Sequence, residues 1–167
     1  RRGHRRAAVR HRPDGVDLYE YFDLEPFRIV NVGPETRVWP AWEARVLDRA
    51  DGYVTFINHR GVTCRSAADY EEGIQYLAYP ITGGRDRAWL AERLNPADPR
   101  RQNGWAGRLA ALHPGHDLGT IEFGSFFGDL HERMGTERMC EIYFDEPEFV
   151  HWYNDRIAAC AEAGIEQ

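Results

Sequence analysis

The sequence of 167 residues contains no lysine, and all 21 of its basic residues are arginine. We attribute this bias to GC-rich coding rather than to selection for bidentate anion binding. Cysteine is also scarce: Cys64, Cys140 and Cys160 lie far apart, and no CxxC pair is present. This pattern favours free thiols in a cytoplasmic protein over a disulfide framework or a cysteine-rich metal site.

Long apolar runs are missing as well. No segment approaches the roughly 18 apolar residues that a membrane-spanning helix needs, and no hydrophobic signal core stands at the start. The net charge of −6 argues against nucleic acid as the main partner. We therefore expect no nucleic-acid partner and no membrane partner.

The composition that remains is typical of a globular domain. Hydrophobic residues make up 43% and charged residues 29%, with five Trp, eight Tyr and eight Phe. Residues 1–15 carry six arginines and few apolar anchors, which predicts a basic, flexible arm. The rest, residues 16–167, is long enough for one core but shorter than the ~250 residues of a complete (β/α)8 barrel.

The first part of this region, residues 16–82, predicts a short helix, a strand and an antiparallel β-meander. The strands of the meander are expected at residues 42–50, 53–58 and 62–65, with an edge strand within residues 74–81. Asp51-Gly52 is the strongest hairpin signal in the chain. Residues 83–167 instead have a helical period, interrupted by one apolar strand.

That strand, residues 118–123, leads through a glycine-bracketed aromatic turn into an amphipathic helix. A strand that feeds a helix through a tight loop is the βα unit of α/β proteins, whose sites lie at the carboxyl ends of strands. Further helices are expected at about residues 137–144 and 147–163. For the last of these, acidic residues and Pro147 indicate the N-terminus.

The order of several segments resembles the N-terminal half of the uroporphyrinogen decarboxylase-like superfamily. The segments are LYEYFDLEPF, VNVGP, YVTFINHRGVTCR, YLAYPI, RAWLAERLNPADPRR and LGTIEFGSFFGDLHERMGTERMCEIYFDEPEFVHWYNDRI. The superfamily includes the true decarboxylases and corrinoid-dependent methyltransferases. The resemblance implies an α/β fold, the N-terminal part of a (β/α)8 TIM-type barrel with the antiparallel meander inserted, and a ligand pocket at the carboxyl ends of the strands.

The sequence departs from the decarboxylase pattern in ways that bear on function. It has no PVWxMRQAGR-type stretch, whose Arg binds substrate carboxylates in that branch, and a family Tyr is matched by His131 or Glu132. The resemblance therefore favours a one-carbon (methyl) transferase that works with a corrinoid or thiol partner. Corrinoid and zinc would require the family's C-terminal half, which carries the His-x-Cys zinc ligands. The alternatives are a uroporphyrinogen decarboxylase of haem biosynthesis and a non-catalytic domain that binds a partner or forms a homo-oligomer.

The candidate site lies within residues 118–135. Glu122, His131 and Glu132 are predicted as catalytic residues, because paired ionisable groups after a strand can act as acid and base or hold a substrate carboxylate. For Glu122 the alternative is an ion pair with an Arg, and for the other two an exposed helix face. Gly124, Ser125, Phe126 and Phe127 are predicted to bind a small-molecule, corrinoid or tetrapyrrole ligand. The alternatives are a helix cap for Ser125 and a core role for the phenylalanines. No metal site is predicted.

Overall fold

The computed structural model describes residues 21–24, 28–68, 73–102 and 104–165. The basic arm predicted for residues 1–15 lies outside the described residues, as does most of the helix predicted from Val16 to Phe22. The described part has two β-sheets and five α-helices, so the prediction of an α/β protein is confirmed.

The smaller sheet is a pair of parallel strands from distant parts of the chain. Strand β1, Arg28–Asn31, pairs with strand β6, Asp117–Thr120. The Arg28 guanidinium donates two hydrogen bonds to the Asp117 carboxylate, at 2.9 and 2.8 Å. This contact joins the amino-terminal ends of the two strands, so their carboxyl ends also lie side by side.

The larger sheet is antiparallel and lies in the connection between β1 and β6. Its strands are β2 (Arg45–Ala50), β3 (Tyr53–Ile57), β4 (Thr63–Ala67) and β5 (Gln75–Ala78), each paired with its neighbour in sequence. Asp51 and Gly52 form the two-residue turn between β2 and β3, both with positive φ, as the Asp-Gly signal predicts. Strands β2 and β5 form the two edges and are exposed along their length.

The five helices are α1 (Arg87–Arg93), α2 (Trp105–Ala110), α3 (Gly128–Met134), α4 (Thr136–Asp145) and α5 (Pro147–Ile165). Their positions agree with the helical period of the second half of the sequence. Short 3-10 helices at Gly84–Asp86 and Pro99–Gln102 precede α1 and α2. None of the described helices is long and apolar enough to cross a bilayer.

The hydrophobic core lies mainly between the helices. Four residues on one face of α5 are buried in it, namely Phe149, Tyr153, Ile157 and Cys160. Leu90 of α1, Leu130 of α3 and Ile142 of α4 pack in the same cluster. This packing holds α3 against the body of the protein and so fixes the direction in which its polar side chains point.

Strand β6 is shorter than the sequence predicts. Its pairing with β1 ends at Thr120, whereas the apolar pattern runs on to Phe123. Ile121 and Phe123 are exposed, with 51% and 42% of their surfaces accessible. The apolar pattern therefore extends past the strand into a segment that lies at the surface.

Candidate functional site

The carboxyl ends of β1 and β6 continue into two loops that are tied together by one buried threonine. The Thr36 hydroxyl donates to the carbonyl oxygen of Glu122 and accepts the backbone N–H of Gly124, both at 3.1 Å. Thr36 itself is 1% exposed. The buried Thr36 side chain therefore fixes the backbone of the loop after β6. We call this surface, formed by residues 121–127, the carboxyl edge.

Glu122 lies on the carboxyl edge and is bound to an arginine. Its Oε2 atom is 2.9 Å from a terminal guanidinium nitrogen of Arg37, and both side chains are substantially exposed. This contact is the ion pair with an arginine that was the alternative for Glu122. Since a surface pair of this kind contributes little to stability, either partner is free to exchange for a ligand.

Gly124 and Ser125 are used by the local fold. A Cβ atom at Gly124 would lie 3.0 Å from Ile157 Cγ2, so glycine allows the loop to pass close to α5. The Ser125 hydroxyl accepts the N–H of Gly128 at 2.9 Å, at the start of α3. Ser125 therefore has the capping role that was its alternative, and ligand binding by either residue would have to use their remaining backbone groups.

Phe126 and Phe127 are exposed, with 55% and 59% of their surfaces accessible. The alternative of a core role is wrong, because both side chains lie at the surface of the loop that precedes α3. Phe127 stacks on His131, with ring centroids 5.7 Å apart and an interplanar angle of 14°. Two adjacent exposed aromatic rings thus form an apolar surface on the carboxyl edge, the edge that also carries Glu122.

His131 and Glu132 lie in a different place. They line a cavity of about 320 Å³ between the antiparallel sheet and the junction of α3 with α4. We call it the tyrosine cavity; its lining consists of Asn58, Arg60, Val62, Tyr76, Tyr79, His131, Glu132 and Thr136. Glu122 is not among these residues, so the three predicted catalytic residues are divided between two surfaces.

The polar contacts in the tyrosine cavity are well defined. Arg60 Nε lies 2.9 Å from Glu132 Oε2, and His131 Nε2 lies 2.8 Å from the Thr136 hydroxyl. The Asn58 side-chain oxygen accepts the N–H groups of Arg60 and Val62, at 2.9 and 3.1 Å. Asn58 thereby shapes the β3–β4 turn that presents Arg60 to Glu132.

Two tyrosines form the apolar part of the cavity. The rings of Tyr76 and Tyr79 have centroids 6.3 Å apart, and burial raises the pKa of the Tyr79 hydroxyl above its usual value. Gly135 makes room for Tyr79: it has a φ of 80°, and a Cβ atom there would lie 2.5 Å from the Tyr79 ring. The cavity thus combines two aromatic rings with one cation and one carboxylate.

A buried polar cluster joins α3 to α5, and it was not predicted from the sequence. The Tyr153 hydroxyl of α5 donates to Asp129 Oδ2 at 2.5 Å, and the Arg133 guanidinium binds the same carboxylate. Burial, together with the Asp129 charge, raises the pKa of Tyr153 well above its usual value. The Asp129–Arg133 spacing of four residues on one helix was the signal available in the sequence. This cluster fixes the rotation of α3 and hence the positions of His131 and Glu132.

The described residues contain no group of three or more His, Cys, Asp or Glu side chains arranged to hold a metal ion. No protein-family model matches the sequence, and no curated protein and no solved structure matches it. The case for a function therefore depends on the geometry of the carboxyl edge and of the tyrosine cavity.

Proposed function

We propose that this chain is the N-terminal part of a uroporphyrinogen decarboxylase-like methyltransferase, and that its carboxyl edge forms one wall of the ligand site. The observation that carries the proposal is the parallel pairing of β1 with β6, whose residues Arg28 and Asp117 are 89 positions apart. The connection between them contains the antiparallel sheet. Adjacent parallel strands with an inserted antiparallel region are what the resemblance implies for the start of such a barrel.

Residues of the carboxyl edge suit a large, flat ligand. The exposed rings of Phe126 and Phe127 offer an apolar surface to the face of a macrocycle. Glu122 lies on the same edge, where its carboxylate can accept or return a proton. When bound, a corrinoid would supply the cobalt that carries the methyl group, while this chain orients the ring and excludes water from one side.

Zinc has no ligand set among the residues described, so we assign no step to it from this chain. His131 and Glu132 were predicted as catalytic residues, and in this proposal they belong to the adjacent tyrosine cavity. Phe127 connects the two surfaces, because its ring stacks on His131. A ligand that displaces Phe127 would therefore also affect His131.

Decarboxylation of a porphyrinogen is the second enzymatic proposal. It requires cationic groups that bind the carboxylates of the substrate. At the carboxyl edge Arg37 is the arginine in contact with a predicted catalytic residue, and its guanidinium is paired with Glu122. Since the Glu122 carboxylate beside Arg37 would repel a substrate carboxylate, methyl transfer is our first proposal.

A non-catalytic role has one observation in its favour. Apolar side chains on the parallel strand pair are exposed, including Ile29 at 63% and Leu118 at 51%. Exposed apolar strands promote association with another chain or with a second copy. The alternative is therefore a domain that binds a partner or self-associates through this sheet.

One set of measurements separates the three proposals. The purified protein is scanned for corrinoid or porphyrin absorbance and then titrated with cobalamin and, separately, with uroporphyrin III. Sedimentation velocity is recorded on the same samples. We expect saturable changes in the cobalamin spectrum with little response to uroporphyrin. Selective binding of uroporphyrin would favour the decarboxylase, whereas self-association without binding of either compound would contradict both enzymatic proposals.

A further inference from the structure

We propose that the tyrosine cavity binds a small zwitterion, a molecule with a carboxylate at one end and an ammonium group at the other. The inference concerns a surface separate from the carboxyl edge. It does not depend on the methyl-transfer proposal, because it is derived from the charges and rings of the cavity itself.

The size of the cavity limits the ligand. A volume of about 320 Å³ lies at the lower end of the range found for small-molecule sites. Its walls come from the β3–β4 turn, from the strand β5 with the residues after it, and from the junction of α3 with α4. A compound the size of an amino acid fits this volume, whereas a macrocycle does not.

The charges of the cavity match both ends of a zwitterion. Arg60 and Glu132 contact each other through Nε and Oε2, and about a third of each side chain is exposed, at 35% and 37%. A guanidinium has five N–H donors and a carboxylate two acceptor oxygens, so each group retains capacity for a ligand. A ligand carboxylate can bind the outer edge of Arg60 while its ammonium group binds Glu132.

A ligand with a single charge suits this arrangement less well. An isolated anion would compete with Glu132 for Arg60 and remain close to its negative charge. An isolated cation would compete with Arg60 for Glu132 in the same way. A zwitterion adds one favourable contact to each member of the pair. The cavity should therefore bind a zwitterion more tightly than a lone anion or a lone cation.

The tyrosine rings add selectivity for the cationic end. Tyr76 and Tyr79 lie 6.3 Å apart with their planes inclined by 35°, so they line one side of the cavity with aromatic surface. Aromatic faces attract ammonium groups, and quaternary ammonium groups are the ligands for which such surfaces are commonly used. An N-methylated amino acid therefore satisfies the rings, Glu132 and Arg60 together.

The test compares three probes: glycine betaine, tetramethylammonium and acetate. Binding is measured by saturation-transfer NMR titration of the purified protein at constant ionic strength. We expect betaine to bind at least about tenfold more tightly than either of the other two, because each of them lacks one of the two charged contacts; tenfold corresponds to about 1.4 kcal/mol. Equal binding of betaine and one of its halves would overturn the proposal, and so would an absence of betaine binding.

Two variants locate the site. Arg60→Gln and Glu132→Gln should each weaken betaine binding about tenfold or more; Glu132→Gln keeps the shape of the side chain, and Arg60→Gln removes the guanidinium. Glu141→Gln is the matched control, because Glu141 is also an exposed carboxylate paired with an arginine, 3.3 Å from Arg138. Circular dichroism verifies folding, and betaine binding that is unchanged in folded Glu132→Gln protein would contradict the assignment. Cobalamin titration of the same variants tests the proposed function separately, because Arg60 and Glu132 lie outside the carboxyl edge.

Discussion

Asp117 shows how a single side chain holds the parallel strands together. Its carboxylate accepts two hydrogen bonds from Arg28 and one from the His113 N–H, and the Arg28 guanidinium in particular lowers its pKa to about 2. Because folding lowers this pKa, the ionised carboxylate stabilises the native state fully at pH values above the ordinary pKa of 3.8. That contribution is lost as the pH falls from about 3.8 toward 2.

Asp117→Asn should therefore remove part of the acid sensitivity of the protein. We expect the variant to be less stable than wild type at pH 7, with the difference shrinking as the pH falls through this window. Urea denaturation at a series of pH values measures it. Arg28→Gln should give the same pattern, and the double variant should add little. A pH-independent difference would contradict the contribution assigned to this pair.

Tyr153 is the residue that ties α5 to α3. Tyr153→Phe removes the hydrogen bond to Asp129 and leaves one oxygen of a buried carboxylate without that donor. Hydrogen bonds to charged groups contribute about 1.5–3 kcal/mol, so we expect a loss of about 2 kcal/mol in the free energy of unfolding. Tyr143→Phe on α4, at an exposed position, is the control and should change stability by less than about 0.5 kcal/mol.

Among the structural elements, the short 3-10 helix Pro99–Gln102 follows α1 and contacts the loop after β1, which contains Thr36. Arg101 from this helix is 4% exposed and donates to the carbonyl oxygens of Glu35, Arg37 and Asn95, at 3.0, 2.8 and 2.8 Å. Its desolvation lowers the pKa of the guanidinium. One side chain thus holds both neighbours of Thr36, the residue that fixes the carboxyl edge.

Arg101→Met should destabilise the protein by about 3 kcal/mol, because several buried carbonyl oxygens lose their donor. Chemical denaturation measures the change, and hydrogen exchange should show faster exchange of the Gly124 N–H, which Thr36 binds. Arg101→Lys keeps the charge but not the planar arrangement of donors, so it should recover only part of the loss. Full recovery by lysine would show that charge alone is needed.

Elements that depend on local signals could be predicted from the sequence. The Asp51-Gly52 hairpin follows from two adjacent residues that tolerate positive φ, and α5 follows from Pro147, the acidic first turn and a regular apolar face. The end of β6 could not be placed in this way. The apolar pattern from Leu118 to Phe123 is continuous, but pairing with β1 stops at Thr120.

For the molecule as a whole, the limits of prediction lie in long-range contacts. The pairing of β1 with β6 joins residues 89 positions apart, and the contact of Arg60 with Glu132 joins a β-turn to a helix. Nothing local to either residue indicates its partner, so the division of the predicted catalytic residues between two surfaces could not be foreseen. The exposure of Phe126 and Phe127 depends in the same way on what packs beside them.

The two surfaces give the molecule a simple organisation. The parallel strands present the aromatic carboxyl edge, and the antiparallel sheet closes over α3 to form the tyrosine cavity. The ring contact of Phe127 with His131 lies between them. The central claim is that the carboxyl edge is a ligand-binding surface and not simply an exposed apolar loop.

The most direct test is a cobalamin titration of a variant that lacks both rings, Phe126→Ala with Phe127→Ala. The matched control is Phe144→Ala, because Phe144 is also a phenylalanine with most of its surface, 88%, exposed. We predict that the double variant stays folded and binds cobalamin at least about tenfold more weakly, a loss of about 1.4 kcal/mol, while the control binds like wild type. Equal binding by wild type and the double variant, or binding lost in Phe144→Ala alone, would contradict the account.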